Sequence, residues 1–128
     1  MRTLALVATI VLVGCGGPSL PACGPPPPAD PGVELPDGFP AIADLTLTSS
    51  REAGPSLIVE GYLPHAIPAG FERASAAFEA SAGYDVTKDE VEQVDAEVFF
   101  ASEDSTGQVK LQQTCAGRSD VTITIRPL

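Results

Sequence analysis

The sequence predicts an α+β domain: an antiparallel sheet of about five strands with one helix packed on one face. Three observations predict it. Apolar and polar side chains alternate in five stretches after residue 41, one stretch between Ile67 and Ala82 switches to helical spacing, and turn residues separate them. Because each alternating stretch keeps one polar face and short turns join neighbours, the sheet reads as antiparallel with a single covered side.

In chain order, Ala43, Leu45 and Leu47 alternate with Asp44, Thr46 and Thr48, the signature of a half-buried strand. Ser49 to Pro55 contains Gly54-Pro55 and turns the chain. Ser56 to Leu63 forms the hairpin partner, with Leu57, Val59 and Leu63 on one face and Pro64 ending it. Ile67, Phe71, Ala74, Phe78 and Ala82 recur at helical spacing behind Pro68, giving a helix over about 68–82. Gly83 is expected to cap it in the left-handed conformation, and Glu72, Arg73 and Glu79 to face water. Tyr84 to Val86 starts a short strand, while Thr87-Lys88-Asp89-Glu90 also fits a capping box for a helical turn. Val94, Ala96, Val98 and Phe100 then alternate with Asp95, Glu97 and Phe99. After a turn at 103–107, Val109, Leu111 and Gln113 alternate with Lys110, Gln112 and Thr114 as far as Cys115. A second turn at 116–120 leads to a last strand, with Val121, Ile123 and Ile125 on one face.

Ahead of this domain (41–128) lie two segments of different character. Gly16 to Pro40 holds nine prolines, including Pro25-Pro26-Pro27-Pro28, and reads as an extended polyproline stalk with Phe39 as a first docking residue. Leu4 to Val13 is apolar except for Thr9 and follows Arg2. At ten residues it is half of what a membrane-spanning helix needs, about 20, and suits the core of a signal peptide. An ordinary secretory signal cut nearby, or a buried N-terminal strand, is the alternative.

Leu12-Val13-Gly14-Cys15 closes that run and resembles the lipobox of bacterial lipoproteins at all four positions. The resemblance implies cleavage after residue 14 and a mature chain that begins at lipidated Cys15, with 15–40 as lipidated cysteine and linker. It also implies a place in the cell envelope on the extracytoplasmic side. Gly16 follows where an Asp would alter sorting, which in a two-membrane cell fits the outer membrane. From Leu35 onward, the layout of hairpin, single helix and three alternating strands is similar to small uncharacterised bacterial lipoprotein domains, a likeness that implies no activity.

Charge excludes some partners. Without Arg2, 6 basic residues stand against 17 acidic ones, so nucleic acid is not expected as a ligand and the membrane is expected only through the anchor on Cys15. Cysteine count adds a staple. If Cys15 is acylated, Cys23 and Cys115 remain as a pair, and in an oxidising compartment such a pair reads as a disulfide closing about 90 residues. Two free thiols are the alternative. The free tether would then shrink to the eight or so residues before Cys23, about 25 Å of reach.

Catalytic chemistry is thin. The chain has one His, no Asn and no Trp, and His65 in Leu63-Pro64-His65-Ala66 reads as an exposed loop residue. No phosphate-cradling glycine motif, zinc-ligand spacing or nucleophile elbow occurs, so no cofactor is expected. Eight carboxylates fall between Asp85 and Asp104 with Lys88 as the one opposing charge. Asp89, Glu90 and Glu92 are the weak candidates for a cation, against a plain solvated acidic face. Ile58, Tyr62 and Phe99 are expected on the face away from the core, forming either an apolar partner patch or a second packing layer. The expectation is a non-enzymatic, lipid-anchored module that binds or spaces another envelope component. A carboxylate-based envelope hydrolase is the alternative, and a carrier of apolar ligands comes third.

Overall fold

The computed structural model describes residues 19–128; the apolar run read as a signal peptide and Cys15 lie outside the described residues. The first two alternating stretches form β1 (Thr46–Ala53) and β2 (Ser56–Leu63), followed by α1 (Ile67–Glu79). The rest of the chain is β3 (Tyr84–Val91), β4 (Asp95–Ser102), β5 (Ser105–Cys115) and β6 (Arg118–Pro127). They make one antiparallel sheet of six strands in the order β1-β2-β6-β5-β4-β3, with α1 lying over β3 to β6.

The sixth strand comes from 84–91, where the sequence left a helical turn open. Tyr84 to Val91 instead pairs with β4 at every residue but Thr87, Val86 opposite Phe100 and Glu90 opposite Glu97, with one irregularity between Val86 and Lys88. A four-residue helical nucleus fixes many dihedrals for few hydrogen bonds, whereas the ladder offered by β4 rewards every second residue. Other boundaries shift for local reasons. β1 begins three residues late because Asp44 adopts φ 67 and the Leu45 N–H donates to the Ile42 carbonyl, a turn that breaks the strand. Its hairpin closes in two residues, Gly54-Pro55, and runs on to Ala53 because Gly54 takes φ 58, which hairpin turns of this length require. The helix ends at Glu79, three residues early, and Gly83 is not left-handed. The Ser81 N–H donates to the Phe78 carbonyl and tightens the last turn instead.

The core lies between α1 and the sheet. Ile67, Ala74 and Phe78 from the helix meet Val59, Leu63, Val98, Phe100, Val109, Leu111, Val121 and Ile123, all buried. Gly107 stands opposite Phe100 in the ladder, and a Cβ there would collide with both the Phe100 ring and the Thr124 carbonyl. The missing side chain is the space in which the Phe100 ring lies.

The proline-rich stalk is not free over its described length. Val33, Leu35 and Phe39 pack against the core, and Pro40 and Ile42 are buried. The Asp30 N–H donates to the Leu47 carbonyl at 3.0 Å, so the segment runs beside β1. Pro25 to Pro28 remain exposed. Prolines restrict the unfolded chain as well as the folded one, so laying down such a strap loses less entropy than laying down an ordinary loop. The strap covers sheet surface that a single helix of 13 residues leaves over.

Candidate functional site

The strap is locked at the hairpin end of β5 and β6. Cys23 and Cys115 form a disulfide with Cα atoms 5.0 Å apart, and Cys115 is buried. Beside it the Ala116 N–H donates to the Pro21 carbonyl at 2.8 Å, and Arg118 Nη1 donates to the Gly24 carbonyl at 3.0 Å. The same hairpin holds the start of α1. Ala66, at the N-cap, has no side-chain oxygen, so an orphan helix donor must find its acceptor elsewhere. Gln113 supplies it: Oε1 accepts the Ile67 N–H at 3.0 Å, while Nε2 donates to the Cys115 carbonyl at 3.2 Å. Ser119, fully buried, donates its hydroxyl to the His65 carbonyl at 2.7 Å. Strap end, hairpin and helix start thus form one block. The signal that Gln113 has a structural task was present in the sequence, as a polar residue on the core face of its strand.

His65 differs from the exposed loop residue the sequence suggests. Its side chain is 22% exposed, and Nε2 lies 2.9 Å from Asp44 Oδ2, which also accepts from Arg73 Nη1 at 2.8 Å. Ser119 reaches the His65 backbone and not its ring, so this pairing carries no nucleophile. The Asp44 carboxyl is held below its ordinary value of 3.8, first by the hydrogen bond from His65 and then by the Arg73 charge. A carboxyl depressed on folding contributes stability above its unfolded pKa, and that contribution disappears as pH falls through the folded value. Asp44→Asn keeps the left-handed backbone accessible. It is expected to flatten the acid limb of stability below about pH 4, measured by thermal melting at pH 3 to 7; an unchanged acid limb would show that the cluster is not coupled to folding.

Asp89, Glu90 and Glu92 do not come together. Side chains alternate along β3, so Asp89 and Glu90 point to opposite faces. Glu90 and Glu92 line an open groove of about 340 Å³ with Asp95, Glu97, Lys110 and Gln112. Glu90 is taken up by Lys88, whose Nζ lies 2.9 Å away and whose pKa is raised by that hydrogen bond. Glu97 accepts from Gln108 Nε2 at 3.0 Å. Among the described residues no group of three or more His, Cys, Asp or Glu side chains is placed to hold a metal ion.

Ile58, Tyr62 and Phe99 share the sheet face away from the helix but do not form one patch. Thr124 of β6 and Gln108 of β5 stand in the row between Ile58 and Phe99, a separation of three strand spacings or about 14 Å. Each ring also has a cation over it, Lys88 Nζ 5.8 Å from the Phe99 centroid and Arg118 Cζ 5.9 Å from that of Tyr62. All three side chains are half-buried. The face is polar, with apolar side chains set singly among Thr, Gln and charged residues.

Among the described residues no helix is long and apolar enough to cross a membrane. No family model, curated protein or solved structure matches this chain.

Proposed function

We propose that the protein is a lipid-anchored lipoprotein of the bacterial envelope, facing away from the cytoplasm, whose domain binds or spaces another envelope component without catalysing a reaction. The observation that carries this reading is the disulfide between Cys23 and Cys115. Disulfides persist in oxidising compartments, and this one engages two of the three cysteines, leaving Cys15 of the lipobox-like Leu12-Val13-Gly14-Cys15 as the thiol for acylation. With Cys23 locked to the hairpin of β5 and β6, about 25 Å of chain would separate the lipid from the domain. The domain would then be displayed close to the bilayer with its hairpin end towards it. A carboxylate-based hydrolase is a second reading, favoured by the groove that gathers Glu90, Glu92, Asp95 and Glu97.

Metabolic labelling with an alkyne fatty acid tests the first reading. Label is expected on the full chain and is expected to vanish in Cys15→Ala, with membrane association lost in the same variant. An unlabelled full chain in an acylation-competent cell would overturn it.

A further inference from the structure

The two edges of the sheet are finished differently. On β1 the strap engages the backbone, since the Asp30 N–H bonds to the Leu47 carbonyl. On β3 no described residue bonds the outer backbone edge, and seven of its eight residues are exposed. Val86 and Val91, both on β3, are 39% and 48% exposed, and Leu128 at the C-terminus is the one other exposed large apolar side chain among the described residues. Their ladder partners Phe100 and Ala96 belong to the core, so the valines continue the apolar face of the sheet beyond its last strand. An unpaired strand edge with an apolar margin is a template for one more strand.

Charge decides what that strand is. Asp85, Asp89 and Glu90 lie on β3 and Glu92 just beyond it, against Lys88, which is already paired with Glu90. A second copy pairing β3 with β3 about its centre would place Asp85 opposite Glu90 twice, and like charges in directly opposed positions destabilise a ladder. Edge charges commonly serve to repel strands. Here they are nearly all of one sign, so what rejects a second copy attracts a basic strand.

We propose that β3 is a docking edge for an extended basic segment of a partner protein, alternating apolar residues with Lys or Arg, which adds to the sheet as a seventh strand. The inference deepens the binding-module reading by naming the partner's chemistry, and it does not depend on the lipid.

The test uses the full-length protein in neutral detergent, isotopically labelled for amide detection, titrated with a peptide of alternating Val and Lys and with its Val and Glu counterpart. The basic peptide is expected to shift the β3 amides and slow their hydrogen exchange by at least about tenfold, with affinity falling as salt rises and in Asp85→Lys/Asp89→Lys. Both substituted positions are exposed, so the fold should tolerate the change. Three results would overturn the proposal: no change at millimolar peptide, shifts spread over the open sheet face without β3 protection, or β3 protection that rises with protein concentration alone. A failed titration with Cys15 labelled removes this inference and leaves the envelope reading standing; an unlabelled Cys15 does the reverse.

Discussion

Breaking the Cys23–Cys115 disulfide is expected to cost about 4 to 5 kcal/mol of folding stability, the value the chain-entropy treatment gives for a loop of this length. The cysteines are 92 residues apart, so the bond closes nearly all of the described chain. Small domains are stable by about 5 to 15 kcal/mol, and the bond therefore supplies a large share of the total. The four consecutive prolines within the loop already narrow the unfolded ensemble, which places the effect at the lower end of that range. Urea unfolding of the full chain with and without reductant measures it. Reductant should bring the midpoint of the native protein down to that of Cys23→Ala/Cys115→Ala and leave the double variant unmoved. The urea slope should rise as well, because an uncrosslinked unfolded chain exposes more surface. Equal midpoints with and without reductant would mean that the crosslink does not constrain the unfolded chain.

The parts of the fold legible in the sequence are those with a local period. Val98 and Phe100, Val109 and Leu111, and Val121, Ile123 and Ile125 announce buried strand faces by alternation, and each is buried. Ile67, Ala74 and Phe78 announce the helix face in the same way. β3 was only half legible, because an edge strand buries so little that its pattern is set by charge and not by the core: Thr87 to Glu90 are all exposed. The strap is legible at Phe39, expected as a docking residue and packed on the core, but not ahead of it: composition forbids regular structure but not docking, and Val33 and Leu35 are too sparse among prolines to form a period. The disulfide is legible from the cysteine count once the lipobox resemblance sets Cys15 aside, a signal independent of periodicity. Long-range polar contacts were not: nothing local joins Gln113 to Ile67 or Asp44 to His65, 46 and 21 residues apart.

Whether the strap is part of the core can be decided at Phe100. Its ring is 2% exposed, stacks on Phe78 at 5.1 Å, and meets Phe39, Tyr84 and Phe78 in one aromatic cluster, the Phe39 contact being edge-on at 5.5 Å. Phe100→Ala removes a large buried side chain directly above Gly107, whose missing Cβ leaves nothing to relax into the space. The expected cost is about 3 to 5 kcal/mol, from lost transfer energy and a cavity that persists. Phe39→Ala should cost less, since that ring is half-buried. If the strap is integral to the core, the two losses do not add. A double-mutant cycle on urea midpoints is expected to give a coupling of about 0.5 to 1.5 kcal/mol, the range for aromatic pairs in contact. Additive losses would instead mean that Phe39 rests on the domain without sharing its packing. The strap would then be held by its disulfide, by the backbone bonds at Asp30 and Pro21 and by the packing of Val33 and Leu35, and not through the aromatic cluster.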